Sequence, residues 1–255
     1  MDICGGRCNL SGMMDSDDPP RPDTGNNIVH LLTLAERQRM QRREEKALRR
    51  NTHPPLINLP PMTKAILLVL IAVHAVLNFA VAPDVRGGIY QHFGFVPAIF
   101  TGHLPFVWTA IVTPFSYMLL HGGWMHLAVN GLMLAALGAG VERWMGPWRM
   151  LAFFTACGLI AAFAHLALNS GSTDPVIGAS GGLSGLFAAV LVMMNQMRAR
   201  AGMPVARMLP VALLWIVITV VSGMMGMPND NSIAWAAHVG GFLGGFAVLR
   251  LMRIA

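Results

Sequence analysis

Charge is what this chain lacks over most of its length. Of its 18 Lys and Arg and 12 Asp and Glu, residues 1–64 hold ten of the basic and eight of the acidic ones, and the 191 residues that follow are almost uncharged. Such a stretch cannot present a solvated surface, which excludes a soluble domain; with 55% hydrophobic residues and a mean hydropathy of +0.55, the chain reads as a membrane protein. Cysteine is scarce too. Cys4, Cys8 and Cys157 give no disulfide framework; the first two have no histidine nearby to complete a metal site, and Cys157 lies inside an apolar run as a packing residue. There is no HExxH, and no carboxylate accompanies His121, His126 and His238 at their depth, so neither a metal nor any other cofactor is expected. The net charge of +6 comes without any nucleic-acid motif. Its basic residues lie in the polar arm or near span ends, where membrane orientation and anionic lipid account for them, so the bilayer and not nucleic acid is the expected partner. Residues 1–62 have no run resembling a signal-peptide core, and insertion is expected to depend on the first span.

The organisation follows from the same contrast. Residues 1–62 are expected to form a cytoplasmic polar and basic arm, largely disordered. Asp15-Ser16-Asp17-Asp18-Pro19-Pro20 lies in a stretch that cannot bury enough apolar surface to fold, whereas residues 31–50, richer in helix formers and with Glu45 and Arg49 one turn apart, fit either a basic surface helix or, at least as well, a solvated charged arm. Pro54-Pro55 and Pro60-Pro61 make a stiff linker. Residues 63–255 are expected to form an all-α polytopic membrane domain of six spans, near 64–83, 118–141, 148–169, 180–197, 205–226 and 232–252. Residues 97–113 are also apolar, but Gly102, His103 and Pro105 interrupt them, which favours a re-entrant or interfacial segment. With six spans and a cytoplasmic N-terminus, Arg143, Arg149, Arg198, Arg200, Arg207, Arg250 and Arg253 fall inside and only Arg86 outside, as positive-inside orientation requires. Both termini are then cytoplasmic.

Against this background a few polar residues stand out. Ser180 sits in Gly178-Ala179-Ser180-Gly181-Gly182 at the start of the fourth span, and His238 precedes Gly240-Gly241 and Gly244-Gly245 in the sixth. Gly181 and Gly185 on one helix, and Gly241 and Gly245 on the other, make small-residue faces that let two backbones approach closely. A serine hydroxyl needs a base to become a nucleophile, and histidine suits that task near neutral pH. His126 and Asn130, at i and i+4, share one face of the second span; with the Ser180 N–H they can supply donors for an oxyanion. Taken alone, a buried His–Asn pair in a membrane is more often interhelical glue; beside Ser180 and His238 the oxyanion reading is favoured. Spans two, four and six all begin at the outer face, so His126, Ser180 and His238 share a depth of roughly 10 Å. Glu142, sixteen residues beyond His126, lies about 24 Å down the helix, which leaves a dyad and not a triad.

These strings resemble the rhomboid family of intramembrane serine proteases. Gly178-Ala179-Ser180-Gly181 is similar to its GxSG motif, Ala237-His238 with Gly241 and Gly245 to its AHxxGxxxG helix, and His121-Gly122-Gly123-Trp124-Met125-His126 through Asn130 to its second-span pattern. The resemblance runs over 64–252. It implies Ser180 as nucleophile, His238 as general base and acid, His126, Asn130 and the Ser180 N–H as oxyanion donors, and Gly178 as the residue shaping the turn. Glu142-Arg143 and Gly146 resemble the family's structural exit from the second span. It further implies single-span membrane proteins as substrates, cut near the outer end of their helix, and a short six-span form suits a bacterial inner membrane. One departure concerns Ser184, where some members carry an aromatic ring that stacks on the base. The other reading within the family is a catalytically silent rhomboid-like chaperone that binds client helices; such proteins are expected to lose the serine or the histidine, and this chain has both.

Overall fold

In the computed structural model, residues 33–34, 36–45, 58–204, 208–225 and 235–254 are described. The chain divides into two units, Met1–Asn58 and Leu59–Ala255. In the first, residues 33–34 and 36–45 are helical and exposed. The disorder expected for residues 1–27 and the positions of Cys4, Cys8, Arg207 and Asp230 lie outside the described residues.

Among its described residues the second unit has helices as its only regular elements, with no strand longer than an isolated bridge. Its main helices are α1 (Pro61–Phe79), α2 (Pro83–Phe93), α3 (Trp124–Met145), α4 (Pro147–Leu168), α5 (Ser180–Arg200), α6 (Leu209–Met225) and α7 (Trp235–Leu251). α1, α3, α4 and α5 are long and apolar enough to cross a bilayer; α6 and α7, at 17 residues each, are shorter apolar helices. Residues 97–116 break into Pro97–Phe100, Trp108–Ile111 and Thr113–Ser116. No helix of spanning length forms there.

Prolines and glycines set the helix starts. Pro61 and Pro147 occupy first-turn positions whose N–H has no helical partner to lose. The next two N–H groups of α1, from Met62 and Thr63, donate to the Glu142 carboxylate at 2.9 and 2.7 Å, and Thr63 Oγ1 adds a third bond at 2.7 Å. A buried acid at a helix N-terminus is thus matched both by donors and by the helix dipole. α3 carries a π-turn over Leu134–Gly138 and ends at Gly146, whose φ of +89° turns the chain into α4.

α4, α5 and α7 form the packed centre. In a membrane, helices associate through close packing and not through exclusion of water, so small residues at the contact decide how near the axes come. A Cβ on Gly241 of α7 would run into the Gly181 carbonyl oxygen of α5, and one on Gly245 would lie 3.0 Å from the Gly185 carbonyl. Phe153, Phe154 and Cys157 of α4, Leu183 and Leu186 of α5, and Leu249 of α7 fill the space around them.

Candidate functional site

The segment leading into α5 is held by backbone bonds to the loop after α2. Phe95 N–H donates to Val176 O at 3.0 Å, Val176 N–H returns to Phe95 O at 2.9 Å, and Ala98 N–H reaches Ser172 O at 2.9 Å. Thr101 Oγ1 donates to Ser170 O at 2.6 Å. At the end of this segment Gly178 N–H donates to Tyr117 O at 2.9 Å, and its φ is +120°. That backbone conformation suits glycine alone. A Cβ at 178 would also stand 2.8 Å from His126 Nε2 and 3.7 Å from Asn130 Nδ2, so the bare backbone lies directly against the two polar side chains of α3.

Ser180 is the first residue of α5, and its N–H is among those a helix leaves without an intrahelical acceptor. Its Oγ lies 2.6 Å from His238 Nε2, across 58 residues of sequence. With the imidazole neutral and Nε2 unprotonated, the hydroxyl donates to the ring. Both residues are half-buried. The glycine crossing of α5 and α7 brings them together: Gly181 follows Ser180 directly, and Gly241 stands three positions after His238, on the same helix face.

Asn130 is 2% exposed, and its Nδ2 has no hydrogen-bond partner. A buried amide with an unused donor is costly unless something else binds it. His121 is fully buried, with its ring 5.1 Å from that of His126 and roughly edge-on. Among the described residues, no group of three His, Cys, Asp or Glu could hold a metal ion. Glu142 is committed to the first turn of α1, and Asp174 is exposed.

Two features escaped the sequence reading. Ser184 Oγ donates to the Ser180 carbonyl at 2.9 Å, turning back along its own helix. The other is His165, on the helix that packs against α7 at Gly240. His165, buried on α4, follows Ala164, which sits where a Cβ on Gly240 would fall. The available signal was its spacing to Asn169, the same as from His126 to Asn130.

Comparison with known proteins agrees with this architecture. The Rhomboid domain pattern matches residues 107–254. Rhomboid protease GluP of Bacillus subtilis (strain 168) is 32% identical over 139 residues, which is 54% of this chain and 25% of that protein. Putative rhomboid protease YdcA of the same organism is 30% identical over 143 residues, 54% of this chain and 64% of that one. RHOMBOID-like protein 5 of Arabidopsis thaliana is 30% identical over 132 residues, 51% of this chain and 40% of that protein. The chain therefore covers less than two thirds of each relative's length. With the domain pattern spanning more than half of the chain over apolar helices of this kind, the protein belongs to the rhomboid family of integral membrane proteins.

Proposed function

We propose that this protein is a serine endopeptidase that cuts single-span membrane proteins near the outer end of their transmembrane helix, using Ser180 and His238. The observation that carries the reading is the 2.6 Å separation of Ser180 Oγ and His238 Nε2. As Oγ attacks the scissile carbonyl, His238 Nε2 takes its proton. The carbonyl oxygen gains negative charge, which the Asn130 Nδ2 amide, a His126 ring N–H and the Ser180 N–H stabilise by donating to it. When the C–N bond breaks, His238 returns the proton to the leaving amine. A water molecule, deprotonated by the same imidazole, then releases the acyl group from Ser180. The unused donor on Asn130 and the glycine backbone at 178 support the oxyanion assignment.

The topology belongs to the same reading. α1, α3, α4, α5, α6 and α7 each cross the bilayer, the 17-residue helices covering about 26 Å at 1.5 Å per residue, close to the hydrocarbon thickness. Both termini face the cytoplasm in a bacterial inner membrane.

The test is cleavage of a generic single-span substrate by the purified protein in detergent. Ser180→Ala and His238→Ala should each remove nearly all turnover, and the double variant should lose little more than either alone, because the two act as one unit. Full activity in Ser180→Ala would end the proposal. Metal chelators should leave turnover unchanged; a loss restored by zinc would point to different chemistry.

A further inference from the structure

A polar string on α1 and α2 has no part in the reaction above. His74 of α1 is fully buried. One turn on, Asn78 Nδ2 lies 3.1 Å from His74 Nε2 and donates to the His74 carbonyl at 2.8 Å. Arg86, from α2, donates Nη1 to Asn78 Oδ1 at 2.9 Å. A guanidinium has donors only, so Asn78 must turn its oxygen to Arg86 and its NH₂ to His74. His74 Nε2 is then the acceptor, and in the neutral ring Nδ1 carries the proton.

The string ends on the segment that starts α3. The His121 carbonyl accepts the Tyr90 hydroxyl at 3.0 Å. The His74 ring meets Trp124 edge-on at 4.6 Å and His121 edge-on at 6.4 Å, and His121 in turn abuts His126 at 5.1 Å. Neither ring nitrogen of His121 has a hydrogen-bond partner. Its ring is therefore held by packing and by its backbone: Tyr90 bonds the backbone, and the His74 ring packs against the His121 and Trp124 rings.

We propose that Arg86, Asn78, His74 and Tyr90 are positioning residues for His126: Tyr90 fixes the His121 backbone, the Arg86–Asn78–His74 string fixes the His74 ring against the His121 and Trp124 rings, and through the His121 ring both set the tilt of the His126 ring towards the oxyanion. The inference rests on the reading of His126 as an oxyanion donor. It deepens that reading by tying a donor on α3 to a cation beyond the end of α1.

The test is a double-mutant cycle on detergent-purified full-length protein, with kcat, KM and thermal midpoint measured for Arg86→Gln and His74→Phe, alone and combined with His126→Ala. A displaced donor should lower kcat about tenfold while KM stays within about twofold, since misplacement of a group used only in the transition state acts on turnover. In the His126→Ala background the same substitutions should cost nothing further. Arg86→Lys, which keeps a cationic donor for Asn78 where Gln offers only a neutral one, should restore part of the loss. Equal losses in both backgrounds, a rise in KM alone, or full activity in Arg86→Gln would overturn the proposal. Arg86 is only half-buried, so its variants carry the test if His74→Phe does not fold. Ser180→Ala run alongside separates the two readings. Cleavage retained there overturns the protease assignment and this proposal with it, whereas Ser180-dependent cleavage with additive losses overturns this proposal alone.

Discussion

Three helical histidines are followed four residues later by an asparagine: His74–Asn78 on α1, His126–Asn130 on α3 and His165–Asn169, whose Asn caps the end of α4. In the first and third the amide closes on its own histidine, Asn78 Nδ2 on the His74 carbonyl at 2.8 Å and Asn169 Nδ2 on the His165 carbonyl at 3.1 Å. In the second it does not. Asn130 keeps an unpartnered Nδ2 although it is 2% exposed. Asn78 and Asn169 lie at helix ends, whereas Asn130 lies within α3 and faces the bare backbone of Gly178. The same spacing thus yields a closed structural pair or an open donor, according to what stands opposite the amide.

The largest expected effect separates open from closed. Asn130→Ala should lower kcat by on the order of 10² to 10³ while moving the thermal midpoint little, because no hydrogen bond of its Nδ2 is lost in the resting protein. A large fall in midpoint with a small change in kcat would make this pair structural like the others. Gly178→Ala should come next: it puts a Cβ at positive φ and against His126, so turnover should fall about tenfold or more, with a stability loss of about 1–3 kcal/mol in denaturation. Asn169→Ala should be the mildest. It removes a closed pair's bond worth about 0.5–1 kcal/mol and should leave kcat within about threefold in the same assay.

The legible parts were those encoded within a few residues. Ser180 and His238 could be read because glycines flank each of them, and His126–Asn130 because i and i+4 share a helix face. The same rule would have flagged His74–Asn78 and His165–Asn169, but it cannot tell a closed amide from an open one, since that depends on a loop nearly fifty residues away. Hydropathy places the start of the second long helix near 118, whereas α3 begins at Trp124. Hydropathy runs smoothly through Tyr117–Leu119, yet the chain turns there as a short 3-10 helix and then extends through Leu120 and Gly123. Apolarity reports where a residue is soluble, not how its backbone bends. The Phe95–Val176 bridge was also hidden, because pairing between two loops leaves no periodic trace. Sequence marks Ser184 only as a position without an aromatic ring; its bond to the Ser180 carbonyl follows from the helix geometry around it.

That bridge bears on how the protein responds to its lipid. Phe95, Ala98 and Thr101 grip Val176, Ser172 and Ser170 chain to chain, so the approach to Ser180 is fastened to a neighbouring loop and not to a particular level of hydrocarbon. Helices meet hydrophobic mismatch by tilting or by deforming the bilayer around them. In thinner or thicker vesicles the fastened loops should travel together as a cap, leaving the serine and its base in register while the substrate slides past them. Bilayer thickness would then choose which peptide bond is cut more than how fast, a displacement that mass spectrometry of the product ends would read residue by residue.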